Sequence, residues 1–246
     1  MSDEVRYVSR DGIAEITLNR PEKYNTLTHE VIDQLHAAWI RFNESDDRVA
    51  ILTGAGDRAF TAGANLRDIP HDLFRAIPGV GVQMKKPVIV ATAGLVVGGG
   101  LVFVQMADIA IAADNTVFSY PEAKVGFSGG LVASLAARIP HKIVMELLLV
   151  GGNLSAQRAY DVGLVNQVVP VGEHLEAARK MARQIAANAP KVLTLLKEFV
   201  GQVLPKGPTE AAGIARSHIL DINASDDFRE GIDAFTGKRP PAFTGR

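Results

Sequence analysis

The chain opens with two short runs in which apolar and polar residues alternate. They are Val5-Arg6-Tyr7-Val8 and Gly12-Ile13-Ala14-Glu15-Ile16-Thr17-Leu18. Arg10-Asp11-Gly12 separates them, and an Asp-Gly step between alternating runs predicts a β-hairpin. The period then changes. Thr28 is a candidate N-cap, and Val31, Ile32, Leu35, Ala38 and Trp39 recur at the spacing of one helix face. Residues 49–53, 87–93 and 108–113 are almost unbroken apolar runs, as expected of strands covered on both faces and joined by crossovers. A further short strand is expected at 164–169. From His174 the period is helical throughout, with helices expected at 174–188, 189–203, 208–224 and 226–235. Pro190, Pro205 and Pro208 supply their breaks or starts. The pattern predicts an α/β protein with a strand-rich body (residues 1–172) and a helical C-terminal region (173–246). Apolar residues on several tail helices imply packing against the body or another subunit.

Composition narrows the function. The chain has 246 residues, of which 47% are hydrophobic and 22% charged, which is ordinary for a soluble globular protein. A formal net charge of -1 argues for neither nucleic acid nor an anionic membrane as partner. The absence of cysteine excludes disulfides, thiolate metal sites and a cysteine nucleophile. Met1-Ser2-Asp3-Glu4 lacks the basic and apolar segments of a secretory signal, so a cytoplasmic location is expected. The uncharged stretch 87–107 approaches the length of a membrane span. It opens with proline and is interrupted by Gly94 and Gly98-Gly99-Gly100, so it reads as strand, turn and helix start.

Two glycine-bearing segments carry candidate chemistry. Phe60-Thr61-Ala62-Gly63-Ala64-Asn65 follows one apolar run, and a short helix is expected after it. Ala93-Gly94-Leu95-Val96-Val97-Gly98-Gly99-Gly100 follows another and precedes a helix. Glycines at a helix start leave N–H groups without intrahelical acceptors. Donors from two such segments can stabilise the oxyanion of a thioester enolate. A glycine run alone is equally compatible with tight helix–strand packing. A dinucleotide site fits poorly, because the spacing is not G-x-G-x-x-G.

Gly126-Phe127-Ser128-Gly129-Gly130 matches the G-x-S-x-G of serine hydrolases, with His141, His174 or His218 as candidate bases. That elbow needs an apolar strand leading into it. Ser119-Tyr120-Pro121-Glu122-Ala123-Lys124-Val125 supplies a proline and two charges instead, which favours a turn.

Taken together, several segments resemble the crotonase (enoyl-CoA hydratase/isomerase) superfamily across nearly the whole chain. They are Asn19-Arg20-Pro21-Glu22-Lys23-Tyr24-Asn25, Phe60-Thr61-Ala62-Gly63-Ala64-Asn65, Lys86-Pro87-Val88-Ile89-Val90-Ala91, Gly98-Gly99-Gly100, Ala107-Asp108-Ile109, Phe118-Ser119-Tyr120-Pro121-Glu122 and the tail 225–246. The resemblance implies a spiral of ββα turns with a helical C-terminal trimerisation region, as a homotrimer or dimer of trimers. It implies an acyl-CoA thioester substrate, with coenzyme A arriving as part of that substrate and neither separate cofactor nor metal. It makes the N–H groups of Ala64 and Gly99 the oxyanion donors and Glu122 the acid/base. Lys23, Tyr24, Ala62, Gly98, Val102 and Tyr120 become candidate substrate contacts. Phe235 and Lys238 become candidates for adenine and phosphate.

One departure changes the expected chemistry. Hydratases of the superfamily carry two glutamates, and the first would stand at Val102. A valine cannot orient water, whereas Glu122 alone can carry a proton between carbons, as in an enoyl-CoA isomerase. His71, Asp72 or Tyr120 could supply the missing polar group. The connection 65–86, which bears His71 and Asp72, looks short for a hydratase. Water addition, decarboxylation, carbon–carbon hydrolysis and non-catalytic acyl-CoA binding stand as alternatives.

Overall fold

The computed structural model describes residues 3–246, so Met1 and Ser2 of the proposed non-secretory start lie outside it. The chain begins with strands β1 (Val5–Arg10) and β2 (Ile13–Leu18), an antiparallel hairpin. Asp11 and Gly12 both take positive φ, 55° and 74°, as a two-residue hairpin turn requires. Helix α1 (His29–Glu44) follows. The Thr28 hydroxyl accepts from Val31 N at 3.3 Å, and Val31, Ile32, Leu35, Ala38, Trp39 and Phe42 form its buried stripe.

The chain then winds as a spiral. β3 (Val49–Gly54), β5 (Val88–Thr92), β7 (Ile109–Ala113) and β10 (Gln167–Val169) extend the first hairpin into a six-stranded sheet in the order β1-β2-β3-β5-β7-β10. Between them, β4 (Ala59–Thr61), β6 (Leu95–Val97), β8 (Val117–Ser119) and β9 (Asn153–Ser155) build a second, four-stranded sheet in the order β4-β6-β8-β9. Helices α2 (Gly99–Met106) and α3 (Glu122–Val125) follow β6 and β8, and α4 (His141–Val150) and α5 (Ala156–Asp161) flank β9. Each turn of this ββα spiral thus gives one strand to each sheet.

β3 and β5 are buried along their full length, as parallel strands covered on both faces must be. Ala50, Leu52, Val88 and Val90 join the main core that holds α1. Val49, Ile51, Ile89 and Ala91 point the other way, onto Ala178 and Ala182 of α6 (His174–Ala186). The first of the C-terminal helices therefore closes the open face of the sheet. Helices α7 (Pro190–Val203), α8 (Pro208–Asn223) and α9 (Asp226–Thr236) complete the chain. Lys197 of α7 ties back to the body through Asp108 Oδ2 at 2.6 Å and the Lys86 carbonyl at 2.8 Å.

The stretch 87–107 resolves into β5, β6 and the eight-residue α2, and among the described residues no helix is long and apolar enough to cross a membrane. The short helix expected directly after Asn65 is absent. Asn65 instead closes a turn, its side-chain oxygen accepting from Arg67 N at 3.2 Å, and Pro70 disfavours helical geometry at Ile69. A 3-10 turn forms later, at Leu73–Ala76.

Candidate active site

Gly63 brings the two glycine segments together. Its φ is +87°, and a Cβ there would stand 2.9 Å from the Val97 carbonyl oxygen at the end of β6. Only glycine allows that approach without strain. Leu27 N donates to the Gly63 carbonyl and the Leu27 carbonyl accepts from Asn65 N, each at 2.9 Å. With both neighbours engaged on the Leu27 side, the Ala64 N–H points away from it, as alternate residues of a bridged segment do.

Across the gap, Gly98 has φ 54° and ψ -112°, a conformation closed to side-chain-bearing residues, and its N–H donates to the Ser119 carbonyl at 3.0 Å. That turn starts α2 at Gly99, whose N–H is one of the orphan donors of a helix start. Neither Ala64 N nor Gly99 N finds a protein acceptor among the described residues. Both residues line one cavity of about 410 Å³, together with Ala62, Gly63 and Gly98.

Val102 lies one turn further along α2, 2% exposed, and presents an apolar surface to the same cavity. Facing it, β8 delivers Tyr120 and Glu122 at the start of α3. Glu122 Oε2 accepts from Gly129 N at 3.1 Å, so the glycine-rich turn 126–130 holds the carboxylate. The Tyr120 hydroxyl is also hydrogen-bonded to Glu122 and to Ser128. Burial first, and the Glu122 carboxylate second, push its pKa up, so the phenol stays protonated and donates. The arrangement offers two unsatisfied N–H groups, one held carboxylate and one neutral phenol around a shared space.

The 65–86 connection and α8 supply the remaining walls. Leu73 lies over Gly99, where a Cβ would meet its Cδ2 at 2.8 Å. His71 lines the cavity. Asp72 does not: Arg75 Nη1 binds its Oδ2 at 3.0 Å, and His29 Nδ1 lies 3.7 Å from its Oδ1. Thr209, Ala212, Gly213 and Arg216 of α8 close the far side. Sequence reasoning missed this wall. Its spacing (i, i+3, i+4, i+7) marks a single helix face, but nothing along the chain says what that face covers. Glu210, fully buried, pins the helix. It accepts from Gln105 Nε2 at 2.8 Å, from the Ser134 hydroxyl and from Gly207 N at 3.1 Å.

Four candidate contacts stand apart from the cavity in the single chain. Lys23 and Tyr24 form the turn before Asn25, with Arg58 stacked 4.7 Å from the Tyr24 ring centroid. Phe235, on α9, is 86% exposed, and Lys238 follows beyond that helix; neither lines the cavity. Ser128 lines it, but short α3 and a glycine turn precede it instead of a strand. None of His141, His174 and His218 reaches the wall, so a hydrolase elbow is not formed.

Comparison with known proteins agrees with this architecture. The family model for enoyl-CoA hydratase/isomerase matches residues 9–246. The carnitinyl-CoA dehydratase of Proteus mirabilis is 36% identical over the full length of both chains. The (E)-benzylidenesuccinyl-CoA hydratase of Thauera aromatica is also 36% identical, covering 95% of this chain and 96% of that one. Among solved structures, an enoyl-CoA hydratase from Mycobacterium tuberculosis superposes with a TM-score of 0.76 at 34% identity. It spans all of both chains. The chain is therefore a member of the enoyl-CoA hydratase/isomerase family, within the crotonase superfamily.

Proposed function

We propose that the chain moves a proton on an acyl-CoA thioester through Glu122, with the N–H groups of Ala64 and Gly99 holding the thioester oxygen. The observation that carries this reading is the composition of the cavity wall. It has two backbone donors without acceptors and Glu122 as its one carboxylate, while Val102 stands buried where a second could act. Two N–H donors aimed at a developing oxyanion stabilise an enolate. Removing one such donor costs about 10²–10³ in rate in other enzymes. Glu122 then takes a proton from the carbon beside the thioester and returns it two carbons further on, so a 3-enoyl-CoA becomes a 2-enoyl-CoA. Tyr120 donates to the same carboxylate and keeps it oriented.

A second reading is hydration or dehydration, favoured by the names of the relatives, a carnitinyl-CoA dehydratase and a benzylidenesuccinyl-CoA hydratase. In that case the Tyr120 hydroxyl or His71 orients the water that Val102 cannot. A single set of incubations separates the two. The purified protein is given 3-enoyl-, 2-enoyl- and 3-hydroxyacyl-CoA, with product identification in deuterated water. Isomerisation with deuterium at the α or γ carbon, reduced about 10²–10⁴-fold in Glu122→Gln, is the expected result. Interconversion of 2-enoyl- and 3-hydroxyacyl-CoA without isomerisation selects the second reading. Equal turnover by Glu122→Gln sinks both.

Assembly belongs to the same proposal. Leu195, Leu196, Phe199, Val200 and Val203 stand exposed on α7, an apolar face that a homotrimer or dimer of trimers would cover. Analytical ultracentrifugation is expected to show a trimer or hexamer, shifted toward monomer by Phe199→Glu. A monomer at micromolar concentration refutes it.

A further inference from the structure

α8 presents to the cavity a face of small residues ending in a cation. Thr209, Ala212 and Gly213 are short, and Arg216, one turn on, is the sole lysine or arginine among the cavity's lining residues. Gly213 lets the helix close in, since a Cβ there would stand 2.7 Å from Val80 Cγ1 and 3.3 Å from Phe74 Cβ. The Arg216 guanidinium then lies 5.6 Å from the Phe74 ring centroid, stacked on an aromatic side chain that also lines the cavity. No carboxylate forms an ion pair with it among the described residues, although seven other arginines have one.

A guanidinium stacked on a ring keeps its in-plane N–H edges free, and that fork matches the two oxygens of a carboxylate. The Phe74 ring beneath it offers no acceptor side chain. Arg216 is exposed in the single chain, so water solvates it until a ligand fills the cavity, and an anion arriving with that ligand can take its free N–H edges. Building on the acyl-CoA reading above, we infer that the acyl group carries a carboxylate of its own, received by Arg216, and that the substrates are half-thioesters of dicarboxylic acids. Glu122 and Arg216 then have separate tasks: one moves the proton, the other selects the acyl chain.

The test uses binding, so it does not depend on which reaction occurs. Affinities are measured for saturated esters from succinyl-CoA to suberoyl-CoA, each against the monocarboxylic ester of equal carbon count, and for free coenzyme A. For at least one chain length, Arg216→Met is expected to lower the dicarboxylic-to-monocarboxylic affinity ratio roughly 10–100-fold, the range of one charged hydrogen-bonded contact. Arg216→Lys should restore part of it. Circular dichroism checks that both variants fold. An unchanged ratio at every length overturns the inference while leaving the acyl-CoA reading intact. Equal losses for both esters and for free coenzyme A also overturn it, because the guanidinium then serves a phosphate. If the wild type binds no acyl-CoA at all, the proposed function falls, and this inference with it.

Discussion

Gly63→Ala tests whether backbone geometry, with no side chain involved, sets the reactivity of this cavity. Two costs follow from the structure. At φ +87° an L-residue sits in the left-handed region, which costs roughly 1–2 kcal/mol. The new Cβ also meets the Val97 carbonyl oxygen at 2.9 Å, and Val97 ends β6, whose backbone is paired with β8 in the small sheet, so the strand resists moving aside. Together these amount to about 2–3 kcal/mol. For a chain of this size each kcal/mol lowers Tm by roughly 2–4 °C, so thermal melting should fall by about 4–12 °C. The segment can relieve the contact only by backing away from β6, and the Ala64 N–H moves with it. Loss of that donor predicts a fall of about 10²–10³ in kcat on the substrate that the wild type turns over. Gly152→Ala is the control: its Cβ would meet nothing within 4 Å, and its φ lies outside the left-handed region. A Gly63→Ala protein that melts lower yet keeps wild-type kcat would show that the approach is structural and that Ala64 is no donor. Unchanged melting would refute the steric reasoning itself.

Other consequences are as direct. Tyr120→Phe removes a donor to Glu122 without changing the buried ring; kcat should fall while Tm stays within a few degrees, and a kcat equal to wild type excludes a role for the phenol. Glu210→Ala leaves the Gln105 amide, the Ser134 hydroxyl and Gly207 N without their acceptor, at roughly 3 kcal/mol or more, so α8 should lose protection in hydrogen exchange before the sheet does. Burial pushes the His174 pKa below its ordinary 6.5, and its Nδ1 has no hydrogen-bond partner among the described residues. The unfolded chain therefore takes up a proton that the folded chain refuses. Stability should fall as pH drops below about 6.5, and the fall should be shallower in His174→Gln, as melting at graded pH will show.

Where a segment has a clear period, its structure was legible. The Asp11-Gly12 hairpin, the Thr28-capped helix and the strands within 49–53, 87–93 and 108–113 follow from alternation, capping and burial on two faces. The tail helices agree to within a few residues. The second sheet was invisible because β4, β6, β8 and β9 have three residues each, too few to show a period. β10 is also shorter than expected, since Leu164 and Val165 pack in the main core ahead of the strand. Within the site, Ala62, Ala64, Gly98, Gly99, Val102, Tyr120 and Glu122 converge on one cavity, as residues sharing a resemblance should. Arg216 was not legible, because a helix face of Thr, Ala, Gly and Arg has no hydrophobic stripe to announce a buried partner.

The two unsatisfied N–H groups belong to the main chain, and that has an evolutionary consequence. A point mutation at position 64 or 99 swaps a side chain but leaves the peptide N–H in place, unless the newcomer is proline. Drift at Val102, His71 or Arg216 can therefore sample new acyl groups and new proton routes while the electrophilic frame stays inherited. Lineages built on this spiral can diverge in what they transform long before they lose the ability to grip it.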